Sequence, residues 1–93
     1  MKNKKLKIER DRIDNIDKKI FVLIKQRTKV VQKVLNLKRL KSQIVDRKRI
    51  NDILKNIKKK SIKEKVDHIL TQKIWKSMIW SYIDLERRKF KKK

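Results

Sequence analysis

An all-α fold, a three-helix chain with a long first helix, is what this sequence predicts, and three observations predict it. The 93 residues contain no Gly and no Pro, so neither the φ > 0 positions of tight hairpins nor Pro breaks are specified. Apolar residues recur at steps of three and four, the period of a helix face rather than of a strand. Three such segments are separated by short polar stretches, with no internal repeat and no linker. Residues 1–93 therefore read as a single helical domain, with basic tails at 1–6 and 89–93.

The first helix is expected from about Lys7 to Leu40. Ile13, Ile16, Ile20 and Leu23, then Val30, Val34 and Leu37, form its stripe, and Arg27 alone breaks the series. Such a helix is roughly 50 Å long, longer than a compact domain of this size is wide. It therefore calls for a partner along its length, and a second copy of the chain is the expected one. The polar break Lys41–Val45 precedes a second helix, from Asp46 as N-cap to about Lys59. Its apolar face is Ile50, Ile53, Leu54 and Ile57. After Lys60 and Ser61 a third helix is expected, from about Ile62 or Lys65 to Arg88. Ile69, Trp75, Ile79 and Tyr82 share one stripe there, flanked by Met78 and Ile83, and Glu86 continues it. His68 reads as a helix-surface residue.

Composition narrows the chemistry. There is no Cys and one His, which excludes disulfides and thiolate metal sites and argues against an imidazole cluster. Lys and Arg number 32 against 10 Asp and Glu, a formal +22. That field attracts anions of every size, from a small dianion to nucleic acid. No run approaches the roughly 20 apolar residues that span a bilayer, and no leader follows the basic N-terminus. No membrane association and a cytoplasmic location are the expectation.

The informative residues are polar groups on apolar seams, because a buried charge needs a counter-charge, a ligand or an escape to solvent. Arg27 occupies a seam position between Leu23 and Val30; alone it is equally a snorkelling or register-setting residue. Lys38 continues the column Ile24, Val31. Arg27 and Lys38 are 11 residues apart, within about 20° on one helix face and about 16 Å along it. Two such cations can close on a small dianion, although a lysine near a helix end is more often solvated. Arg10 lies in the same column, roughly 42 Å from Lys38 along the helix. It can join the same site only from an antiparallel partner. Arg49 follows Asp46 by three, the spacing of a local ion pair. Glu86 is the acidic counterpart of Arg27, or else a surface partner of Arg87 or Lys89.

Taken together these residues resemble the all-helical, type II chorismate mutases. Arg10-Asp11-Arg12-Ile13-Asp14-Asn15-Ile16-Asp17 looks like that family's first-helix signature. Arg27, ten residues after Asp17, and Lys38, eleven further on, keep its spacing. Ile44-Val45-Asp46-Arg47-Lys48-Arg49 resembles the opening of its second helix, and Ile74 to Glu86 its last characteristic stretch. The likeness covers residues 8 to 88. It implies an intertwined homodimer that rearranges chorismate to prephenate, in aromatic amino-acid biosynthesis, without a cofactor. In that pattern Arg10 reaches a substrate carboxylate from the other protomer, Arg27 holds a second carboxylate contact, and Arg49 supports the polar wall. Lys38 donates to the ether oxygen with Glu86, Asp46 faces the hydroxyl side, and Tyr82 lines the site. Glu86 must carry a proton to donate, so turnover is expected to fall as pH rises.

Three positions depart from the family pattern. Ile50 stands where a Glu usually contacts the substrate hydroxyl, Tyr82 where a small hydroxyl residue is common, and Glu86 where Gln is frequent. The first two keep open a lyase that removes pyruvate from isochorismate in the same cationic cage. A basic helical nucleic-acid binder is the other alternative. It accounts for the charge, but not for Arg27 and Glu86 on apolar stripes. On the mutase reading, nucleic acid is at most a non-specific partner held through charge.

Overall fold

The computed structural model describes residues 2–91, with Lys2 described for its backbone alone. Met1, Lys92 and Lys93, which belong to the two basic tails, lie outside the described residues. Among the described residues there are three α-helices and one turn of 3₁₀ helix: α1, Lys2–Leu37; the 3₁₀ turn, Lys41–Gln43; α2, Arg47–Lys63; and α3, His68–Lys89. None of these helices is long and apolar enough to cross a membrane. The chain divides into two compact units, Met1–Val31 and Gln32–Lys93.

The first unit is helical throughout. α1 begins five residues before the expected start, because Lys and Leu at 4–7 are good helix formers and nothing there breaks the ladder. Lys7 pairs with Asp11 at 3.0 Å and Arg12 with Glu9 at 3.3 Å, exposed contacts that add little. The expected stripe is present but open to solvent. Ile13, Ile16, Ile20, Leu23 and Val30 are all at least half exposed.

The second unit holds the core. Leu35, Ile44, Ile79 and Ile83 are buried, and Val45, Ile50, Ile53, Leu54 and Phe90 pack against them. Each buried aliphatic side chain contributes about 1.5–3 kcal/mol. α1 ends at Leu37, three residues before the expected end, as the Lys38 N–H folds back onto the Leu35 carbonyl at 3.0 Å. The next two amides have no helical acceptor. The Gln43 side-chain carbonyl takes both, at 2.8 Å from Arg39 N and 2.9 Å from Leu40 N. The Gln43 N–H in turn donates to the Leu40 carbonyl at 3.0 Å. That closed hook delivers Ile44 into the core.

α2 starts where the sequence places it. Asp46 is its N-cap and accepts the Arg49 N–H at 3.0 Å. It runs four residues past the expected end at Lys59, so Ser61 is not in the break but in the last helical turn. The buried Ser61 hydroxyl donates to the Ile57 carbonyl at 2.7 Å and lies 2.7 Å from the Thr71 hydroxyl of α3. The Gln72 amide adds a second tie, to the Leu54 carbonyl at 2.7 Å.

The turn between α2 and α3 is a Schellman motif. Val66 N–H reaches the Ser61 carbonyl at 2.9 Å and Lys65 N–H the Ile62 carbonyl at 3.3 Å. Lys65 holds φ 58 there, so the chain does make a left-handed turn despite having no glycine. α3 then starts at His68, later than expected, because Asp67 caps it by accepting from Ile69 N and Leu70 N at 2.8 and 2.9 Å. His68, at that first position, is half-buried rather than on the surface.

Candidate active site

Two residues of the second unit meet here, Glu86 on the stripe of α3 and Lys38 from the loop after α1. Glu86 is buried, seven residues after the buried Ile79, with half-buried Trp75 and Tyr82 on the same face. Lys38 stands just past the end of α1 and is half-buried. Its ammonium lies 3.4 Å from Glu86 Oε1. A carboxylate at 7% exposure among Ile79 and Ile83 is costly unless it is paired, and Lys38 supplies that pairing. The Gln43 hook fixes the backbone immediately after Lys38, so the cation is placed by the loop rather than left on a free helix end.

The other expected residues of this unit stand as follows. Asp46 and Arg49 are both exposed and are joined through the cap, carboxylate to backbone N–H. They form no side-chain ion pair with each other. Tyr82 is half-buried one turn before Glu86. Ile50, next to Arg49, is half-buried and packs on the core. In the first unit Arg10 is exposed, whereas Arg27 is half-buried on the stripe of α1. Seventeen residues separate them, about 25 Å of rise, so both cannot touch one small ligand within one chain.

Lys38 and Glu86 thus offer an ammonium and a carboxyl group in one half-buried place. Fixed groups of this kind act on charge that develops on a bound oxygen, and do so more strongly where water is excluded. Gln43 is the residue that sequence reasoning passed over, as part of a polar break. Its signal was faint: a Gln three residues after Leu40, able to reach back to amides left bare at a helix end.

The family model of chorismate mutase type II matches residues 9–87. That match takes in α2, most of α1 and α3 and every candidate residue named above, and the chain belongs to the chorismate mutase type II family. Neither the curated proteins nor the solved structures give a match to this chain.

Proposed function

We propose that this chain is a chorismate mutase, an isomerase that rearranges chorismate to prephenate for aromatic amino-acid synthesis and acts as a homodimer. The observation that carries the reading is the buried Glu86 beside Lys38, in a chain matched by that family over residues 9–87. The reaction suits the residue set. One ether C–O bond breaks as one C–C bond forms within the same molecule, so no nucleophile, electron acceptor or metal takes part. Catalysis then consists of holding the compact conformer of the substrate and stabilising negative charge on the ether oxygen. Lys38 leaves Glu86 to donate to that oxygen, and Glu86 donates beside it when protonated. Arg27 and the partner's copy of Arg10 hold the two carboxylates, Arg49 supports the polar wall, and Asp46 faces the hydroxyl. Tyr82 closes the side of the site one turn from Glu86.

Two features favour a second copy as the partner. The stripe Ile13, Ile16, Ile20, Leu23, Val30 is open along the first unit, and Ile69, Leu70 and Ile74 are at least about half exposed at the start of α3. Arg10, about 25 Å from Arg27 along α1, has a place in one site only from another protomer.

Subunit mixing tests activity and dimer together. Arg10→Ala and Lys38→Ala homodimers should each be nearly inactive. Refolding them together should restore up to about a quarter of the wild-type rate, because half of the dimers are mixed and half of their sites carry both intact residues. No recovery on mixing, with each variant folded, counts against the supply of Arg10 in trans. The same assay on isochorismate, read for released pyruvate, tests whether Ile50 has changed the substrate.

A further inference from the structure

α2 carries eight Lys and Arg side chains, Arg47, Lys48, Arg49, Lys55, Lys58, Lys59, Lys60 and Lys63, against one carboxylate, Asp52. All are exposed. The ion pairs of the described residues lie elsewhere, at Lys7–Asp11, Glu9–Arg12, Lys38–Glu86 and Asp84–Arg88, so none of the eight cations has an acidic partner. The spacing makes matters worse for the free helix. Lys55, Lys59 and Lys63 repeat at i,i+4, and Lys55–Lys58 and Lys60–Lys63 at i,i+3, where like charges face each other and destabilise a helix. Apart from Arg49, none of these residues has a part in the site described above.

We propose that the exposed face of α2 is a second binding surface, which takes the phosphate backbone of duplex nucleic acid without reading its sequence. Three observations choose this occupant. The array is linear, about 25 Å over 17 residues, and a duplex offers one charge per about 1.7 Å of axis. α2 contains no aromatic residue, so it has no platform on which unpaired bases would stack. Ile50, Ile53 and Leu54 are packed on the core, and only Ile62 on this helix is an exposed large apolar residue, so there is little to insert into a lipid surface. Lysines predominate, and they act as point charges on phosphate rather than as bidentate readers of base edges.

The test is fluorescence anisotropy of an arbitrary-sequence 20-base-pair DNA duplex with the full chain, from about 50 to 200 mM salt. Two fourfold variants are compared. One replaces Lys55, Lys58, Lys59 and Lys63 by Gln; the other replaces Lys4, Lys5, Lys18 and Lys19 on α1. Gln keeps helix propensity close to that of Lys, and circular dichroism checks folding. The α2 variant should bind at least tenfold more weakly, with the salt slope shallower by about 3 to 4. It should also unfold at higher urea, since repulsion is removed. The α1 variant should change binding less than threefold. Equal losses in the two variants would overturn the assignment to α2. So would no duplex binding at 50 mM salt, or tighter binding to vesicles of anionic lipid than to the duplex.

Discussion

The Lys38 ammonium lies 3.4 Å from the Glu86 carboxylate, although 48 residues separate them in sequence. Glu86 is nearly sealed from solvent and Lys38 is partly open, with side-chain exposures of 9% and 20%. The two ends of the pair are therefore not equivalent. Removing the cation leaves a buried charge without a partner, whereas removing the carboxylate lets the stripe Ile79–Ile83 close over an apolar residue.

Lys38→Met should accordingly lower stability by about 1–3 kcal/mol. Glu86→Leu should leave it unchanged or raise it, while abolishing turnover. Urea unfolding of the two variants checks the asymmetry. Equal destabilisation by both would mean that the contact contributes as an ordinary surface pair.

The Gln43 hook gives a second expectation. Gln43→Met keeps the length of the side chain but offers no oxygen to Arg39 N and Leu40 N. Exchange of those two amides with solvent should quicken, and chorismate turnover should fall, with Lys38 less firmly held. Gln43→Glu retains an acceptor and should restore both. Rescue of neither by Glu would show that volume, not hydrogen bonding, is what matters at this position.

These two residues also mark how far the sequence could be read. Glu86 and Lys38 stood out because each broke an apolar column, and a charge at a core position is visible without a structure. The Asp46 cap was legible for a similar reason, a carboxylate just before an apolar period. The end of α2 was not. Ser61 resembles a break residue, and only its bonds to Ile57 and Thr71 make it part of a buried helix. The turn at Lys65 was hidden as well, since lysine carries no signal for positive φ. The paired cations Lys7, Arg12, Lys38 and Arg88 stand among 32 Lys and Arg, which also concealed which charges are paired.

Lys65 supplies a third expectation. At φ 58 an L-residue pays for the left-handed region about 1 kcal/mol or more that glycine does not. Lys65→Gly should raise stability by about 0.5–1 kcal/mol, which for a chain of this size is several degrees in Tm. Calorimetry reads it directly. A lower Tm would mean that the lysine side chain contributes more to this turn than its backbone costs.

Asp67 gives a pH dependence. The Leu70 N–H holds its carboxyl below the ordinary value of 3.8, with further lowering from the Ile69 N–H and His68 outweighing the opposing effect of desolvation. The sign follows from that direction. A carboxyl depressed in the folded state adds stability above its unfolded value, and this is lost as pH falls through the folded one. Asp67→Asn still caps α3 but does not titrate. Its urea midpoint should therefore fall less than that of the wild type between about pH 5 and pH 3. Parallel losses in the two proteins would remove Asp67 from the acid response.

Conversion of chorismate by the purified chain, beside its Arg27→Ala variant, reaches the centre of the functional proposal. The loss of chorismate absorbance should be matched by formation of prephenate. The variant should be slower by about a hundredfold or more, the scale of a lost charge contact in the transition state. Folded protein that leaves chorismate untouched at both acidic and neutral pH would contradict the proposal, whatever the variant did.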